Sequence, residues 1–151
     1  MPLQRAALFM GAALDLARSA ADAGEVPVGA VVVHGGEIIG RGGNRPISDH
    51  DPTAHAEIAA IRHAARTLGT DRLNGCDLYV TLEPCAMCAG AIAHARIRRL
   101  YYGAPDPKGG AATHGPRLFE QPTIHHRPEV YGGIGEEEAA ALLRKFFEAR
   151  R

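Results

Sequence analysis

The chain has 151 residues, 17 basic and 17 acidic side chains, three cysteines and no tryptophan. That length fits one domain, 1–151, able to bury a core without disulfide staples, and an odd cysteine count argues against a secreted disulfide scaffold. Zero net charge argues against disorder and gives no broad attraction to nucleic acid, and no run approaches the roughly 18 apolar residues of a membrane span. Ala supplies 27 residues, against 32 for Leu, Ile, Val and Phe together, which suggests closely packed helices.

At the N-terminus, Arg5 followed by Ala6 to Leu14 resembles the apolar core of a leader peptide. Asp15 and Arg18 interrupt it, however, and Leu3, Ala7, Met10, Leu14, Ala17 and Ala21 recur every three or four residues. That is helical period, so an amphipathic helix ending near Gly24 is expected rather than a cleaved leader. Val26 to Val33 reads as a buried strand, His34-Gly35-Gly36 as a turn, and Glu37 to Gly42 as the antiparallel return strand. Asn44 to Thr53 is expected to be a loop. Ala54 to Leu68 has helical period, Asp77 to Leu82 reads as a strand, Cys85 to Ala95 as a buried Ala-rich helix and Ile97 to Tyr102 as another strand. Ala104 to His126 is long, rich in Pro and Gly and weakly patterned, the kind of loop that is usually functional. Glu129 to Tyr131 reads as a short last strand. Glu136 to Arg150 reads as a helix with acids in its first turn and bases in its last, as the macrodipole favours. Alternating helices and strands indicate an α/β layered domain.

Two clusters carry chemistry. Thr53-Ala54-His55-Ala56-Glu57 opens one predicted helix and Pro84-Cys85-Ala86-Met87-Cys88 opens another. Cys85 and Cys88 share a helix face, and a helix N-terminus favours thiolates. Two thiolates and an imidazole suit Zn²⁺, and three protein ligands leave the fourth position that a catalytic zinc keeps for water. Glu57 is near the metal without having to bind it, a place for a general acid and base. The plainer readings are two buried cysteines, or a structural zinc closed by Cys76 or a further histidine. Cys76 by itself reads as a small buried residue, His63 as exposed and inert, His94 as a helix cap, and His125 with His126 as ordinary loop residues. Arg96, Arg98 and Arg99 form one basic cluster, and Arg144, Lys145, Arg150 and Arg151 another.

The paired H-x-E and P-C-x-x-C form the signature of zinc nucleobase deaminases. Glu25-Val26-Pro27-Val28-Gly29-Ala30, Asn44-Arg45-Pro46, Asp51 to Glu57, Tyr79 to Cys85, Met87 to Ala91, Tyr102-Gly103-Ala104, Ala140 to Leu143 and Phe146-Phe147 also resemble the bacterial tRNA adenosine deaminase family. The resemblance covers nearly the whole chain. It implies a three-layer α/β/α cytidine-deaminase-like fold with a mixed sheet of about five strands. It implies hydrolytic conversion of adenosine to inosine at the wobble position of a tRNA anticodon, with zinc-activated water. It further implies one Zn²⁺ per subunit on His55, Cys85 and Cys88, Glu57 as proton shuttle, and substrate contacts from Asn44, the backbone around Ala56, and Asp106. The implied partner is a tRNA anticodon stem-loop, met by a cytoplasmic homodimer with no membrane attachment. Pro105 and Pro107 beside Asp106, and His125 where the family more often carries Asn, depart from the pattern. Two other readings share parts of it: a deaminase of free guanine, cytosine or deoxycytidylate, and a non-catalytic zinc-stabilised RNA-binding module. Glu57 speaks against the second, since a structural site needs no carboxylate there.

Overall fold

A computed structural model describes residues 2–150, with side chains from residue 4 onward. Met1, the Leu3 side chain and Arg151 lie outside the described residues, and with them the expected place of Leu3 on the first helix stripe and of Arg151 in the terminal basic cluster. The elements in order are α1 (Pro2–Asp22), β1 (Gly29–His34), β2 (Glu37–Gly43), α2 (Pro46–Asp49), α3 (Ala56–Leu68), β3 (Asp77–Leu82), α4 (Ala86–Ala95), β4 (Arg99–Ala104), a 3₁₀ turn (Leu118–Glu120), β5 (Glu129–Tyr131) and α5 (Glu136–Glu148).

The five strands form one sheet in the order β2-β1-β3-β4-β5. β1 pairs antiparallel with β2 and β3, while β3–β4 and β4–β5 are parallel. The sheet is therefore mixed, as expected. Side chains alternate across it with the period-two pleat. Ala30, Val32, Leu78, Val80 and Leu100 face α3 and α4, while Val31, Val33 and Tyr79 face α1 and α5. These are the three layers that the α/β/α expectation requires. The two central strands are buried along nearly their whole length because helices cover both faces.

The alanine excess has a structural use. Ala13, Ala17, Ala56, Ala60, Ala64, Ala89 and Ala93 are fully buried where helix meets sheet. Glycines in β2 complete the close approach. A Cβ on Gly40 would lie 2.4 Å from the Ala60 carbonyl oxygen, and one on Gly42 would lie 2.5 Å from that of Ala56. No side chain fits between β2 and α3, so the first turn of α3 is pressed onto the strand. Gly35 and Gly36 both have positive φ, as a two-residue hairpin turn between right-twisted strands demands.

Several boundaries and faces differ from expectation. The buried stripe of α1 is Ala6, Phe9, Met10, Ala13, Leu14, Ala17 and Ala20, and Ala7 is exposed. Alanine marks an apolar stripe weakly, because it also sits comfortably in water. β1 begins at Gly29 rather than Val26, since Pro27 has no N–H to give a ladder. β4 runs from Arg99 to Ala104, two residues later than expected, because Arg96 turns left-handed at the end of α4 and Ile97 still bonds back to Ile92. The expected loop 44–53 holds the short helix α2, with Pro46 in its first turn.

Gly42→Ala is expected to lower stability by about 1–3 kcal/mol, the usual range for overpacking. Gly11→Ala, in α1 where a Cβ meets nothing within 4 Å, is expected to hold or raise stability by up to about 1 kcal/mol. Urea denaturation of both variants checks the contrast.

Candidate metal centre and active site

Two helix N-termini meet at the site. His55 is the N-cap residue of α3 and Cys85 is that of α4, both in extended backbone. Cys88 follows one turn into α4 and is fully buried. His55 Nδ1 lies 3.6 Å from Cys85 Sγ and 3.5 Å from Cys88 Sγ. All three ligand atoms lie within 4.8 Å of one another, and no other such grouping occurs among the described residues. A zinc ion about 2.3 Å from sulfur and about 2.05 Å from nitrogen, at the tetrahedral angle, requires sulfur–nitrogen separations of about 3.6 Å. The donor set and its spacing therefore fit zinc. Cys76 lies outside the cluster, fully buried in the core, where burial pushes its thiol up. It does not supply a fourth ligand.

Cys85 is held down to about 5, first because the Cys88 thiol donates to it and also because backbone amides of Cys88 and Met87 point at its sulfur. Donation to Cys85, together with burial, pushes Cys88 up. A thiolate at a helix N-terminus is the expected state of a metal ligand.

Glu57 is 4% exposed and sits in the first turn of α3 beside the cluster. Burial pushes its carboxyl up to about 7, with the nearby His55 and the Cys88 thiol offsetting part of that rise. A carboxyl poised near neutrality can both take and give a proton in one cycle.

The predicted substrate residues fall into two groups. Asn44 Oδ1 accepts a 2.9 Å bond from the Ala56 amide. This satisfies an orphan donor at the start of α3 and fixes the Asn44 side chain against the His55–Glu57 turn. The Ala56 N–H is therefore already taken, and Ala56 is fully buried. The polar group this pair leaves over is the Asn44 side-chain NH₂. Asp106 lies on the other flank. Its Oδ1 accepts from the amides of Lys108 and Gly109, closing a tight turn between Pro105 and Gly110.

Two buried carboxylates that the sequence reading left without a role hold these flanks. Glu83, 2% exposed, lies two residues before Cys85. Its Oε1 accepts from the Asp106 amide at 2.9 Å, and its Oε2 from the amides of Ala112, Thr113 and His114. Burial alone would raise this carboxyl, but the amide bonds hold it below its ordinary value. Ala111 N–H to Pro84 O, 2.8 Å, ties the same loop to the segment carrying Cys85. Glu25, also 2% exposed, accepts from the Ile47 and Ser48 amides and the Ser48 hydroxyl, and these bonds outweigh its burial. It fastens α2 and so the segment between Asn44 and His55. Both glutamates stood within the quoted motifs, yet their partners are 22 to 31 residues away in sequence.

His63, His94, His125 and His126 make contacts within the fold. His63 is exposed, but its Nδ1 accepts the Arg41 amide of the edge strand β2, so it is not inert. His94 is not the cap of α4. Arg96 takes that place in left-handed backbone, and His94 instead packs at a tilt against His125, ring centroids 4.4 Å apart. His126 Nε2 lies 2.8 Å from Ile97 O. Arg98 forms a two-pronged pair with Asp77, and Arg99 pairs with Glu129. Arg98 and Arg99 are thus paired with carboxylates at the end of β3 opposite Cys85, while Arg96 donates to the Ala93 and His125 carbonyls.

Comparison with known proteins agrees with this geometry. The family model of the cytidine and deoxycytidylate deaminase zinc-binding region matches residues 3–104. The chain is 61% identical over 143 residues to a tRNA-specific adenosine deaminase of Agrobacterium fabrum, covering 95% of this chain and 94% of that one. A solved structure from a study of A-to-I editing by tRNA A34 deaminases at the wobble position superposes with a TM-score of 0.88 at 61% identity, over 89% of this chain and 98% of that one. A guanine deaminase from Nitrosomonas europaea superposes with a TM-score of 0.80 at 27% identity, over 93% and 83% of the two chains.

His55→Ala is expected to drop bound zinc from about one per chain to a small fraction of that, because two ligands hold the metal far more weakly than three. Cys76→Ser is expected to leave it at one. Elemental analysis after dialysis against a mild chelator checks both.

Proposed function

The chain belongs to the family of cytidine and deoxycytidylate deaminase zinc-binding domains, and from that premise we propose that it hydrolyses adenosine to inosine at the wobble position of a tRNA anticodon. The zinc cluster does not choose the substrate, since a guanine deaminase shares the same fold. The observation that carries the choice is the 61% identity to a tRNA-specific adenosine deaminase across 95% of the chain, which reaches past residue 104 into the loop of Asp106 and into α5.

In this reading 1–151 acts as one deaminase domain. His55, Cys85 and Cys88 hold one zinc ion. Zinc supplies Lewis acidity that lowers the pKa of water from about 15.7 toward 7. Glu57 takes the proton of the attacking water and delivers it to adenine N1 while C6 is attacked. Glu57 then takes the remaining proton from the hydroxyl on C6 and gives it to the departing amino group as the C6 carbonyl forms, so that water is consumed, ammonia leaves and inosine remains. Its carboxyl, already near 7 in the folded chain, suits both transfers. Asn44 presents its NH₂ group to the nucleotide, beside the buried backbone of Ala56. Asp106, held by Glu83, borders the strand that carries the target base. The partner is a tRNA anticodon stem-loop. The active form is a cytoplasmic homodimer, in keeping with exposed Ile47 and Met87 on segments flanking the cluster and with three unpaired cysteines that suit a reducing compartment. No helix of the described residues is long and apolar enough to cross a membrane.

An anticodon stem-loop bearing a wobble adenosine is expected to yield inosine by mass spectrometry, with guanine, cytosine and deoxycytidylate unchanged. Activity confined to the small molecules would overturn the reading. Glu57→Ala is expected to keep its zinc and lose about 10²–10⁴-fold in turnover.

A further inference from the structure

Glu83 receives its donors unevenly, one amide on Oε1 and three on Oε2. Four backbone amides, those of Asp106, Ala112, Thr113 and His114, already supply donors to its two oxygens. A carboxylate offers about four lone-pair sites. The Asp106 amide is the only one on Oε1, and His114 Nδ1, 2.7 Å away, supplies the second donor to that oxygen. A His Nδ1–H given to a buried carboxylate fixes the tautomer and the ring orientation, and leaves Nε2 free as an acceptor.

The ring so fixed is 38% exposed, and its Nε2 has no hydrogen-bond partner among the described residues. It also stands at the functional end of the sheet. The same oxygen that holds His114 Nδ1 holds the Asp106 amide, which makes the imidazole and the Asp106 turn neighbours across one atom. The loop they share is bonded through Ala111 to Pro84, next to the zinc-type ligand Cys85. An oriented polar ring with an open nitrogen, on a loop fastened beside the reacting cluster, has the features of a contact residue.

We propose that His114, oriented by Glu83, contacts the substrate through Nε2, accepting a hydrogen bond from a ribose 2′-hydroxyl of the sugar–phosphate strand that passes the Asp106 turn. This inference rests on the wobble-adenosine reading and adds a residue to its substrate site. The predicted contact is to the sugar–phosphate strand and not to the reacting base, so it acts on binding and leaves the chemical step alone.

Asparagine separates the two nitrogens of the ring. Its side-chain NH₂ can take the place of Nδ1–H toward Glu83, but it puts nothing where Nε2 stands. His114→Asn is therefore expected to keep zinc content, melting temperature and kcat within about twofold, and to raise KM for the stem-loop roughly three- to tenfold, the range of one neutral hydrogen bond. His114→Gln, which reaches the Nε2 position, is expected to recover most of the lost KM. A His114→Asn enzyme with the wild-type KM would overturn the inference. So would a KM rise in both variants that tracks a fall in melting temperature, because the ring would then only brace the loop. If the wild-type chain makes no inosine on the stem-loop, the proposed function fails instead, and the variants are not what decides it.

Discussion

The site depends on one constraint: two helix N-termini are brought to a single point and held there. His55 and Cys85 each occupy the position where a helix would otherwise place a capping side chain, and neither makes a side-chain cap bond. Their donor atoms face each other instead. The unpaired amides and partial positive charge of both helix starts then act on the same small volume, which favours the thiolate form of Cys85 and suits a metal–hydroxide chemistry. The approach is possible because Gly40 and Gly42 let α3 lie directly on β2. A fold with ordinary side chains at those two positions would lift the His55–Glu57 turn away from Cys85 and Cys88.

Around that point the molecule uses buried carboxylates as anchors rather than as reagents. Glu25 fastens the segment before His55, and Glu83 fastens the loop after β4. Each loses hydration on burial, and each regains it from three or more donors in the loop it holds, so the loop and the carboxylate stabilise one another. Glu57 is the contrasting case. It is buried to a similar degree, but no distant loop supplies amides to it, and its carboxyl rises toward neutrality where the other two fall. Three buried glutamates thus divide into one with an available proton and two without, and the number of donors around each decides which.

The site was legible in the sequence where its information is local. The spacing of His55 to Glu57 and of Cys85 to Cys88 places the ligands on helix starts, and the structure joins the two starts at zinc-like distances. The Val-rich run and the glycine turn at 35–36 likewise pointed to the β1–β2 hairpin. What was not legible depends on pairings across the fold. Nothing near Glu83 in the chain reveals that its partners lie around residues 106 and 112–114, and nothing near His63 points to the Arg41 amide. The rotated stripe of α1 has another cause. Alanine-rich helices offer two nearly equivalent apolar faces, and only packing of Phe9 and Met10 against the sheet decides between them. The break at Arg96 was hidden because a left-handed cap without glycine or asparagine carries no sequence signal.

In the proposed reading this chain alone builds an open three-ligand zinc site, with sulfur–nitrogen separations already at tetrahedral spacing. X-ray absorption at the zinc edge of the metal-loaded protein tests this. Two sulfurs at about 2.3 Å and two nitrogen or oxygen atoms at about 2.0–2.1 Å are expected, one of them from solvent. Cys76→Ser is expected to give the same spectrum. A shell of three or four sulfurs, or one that changes when Cys76 is replaced, would contradict it.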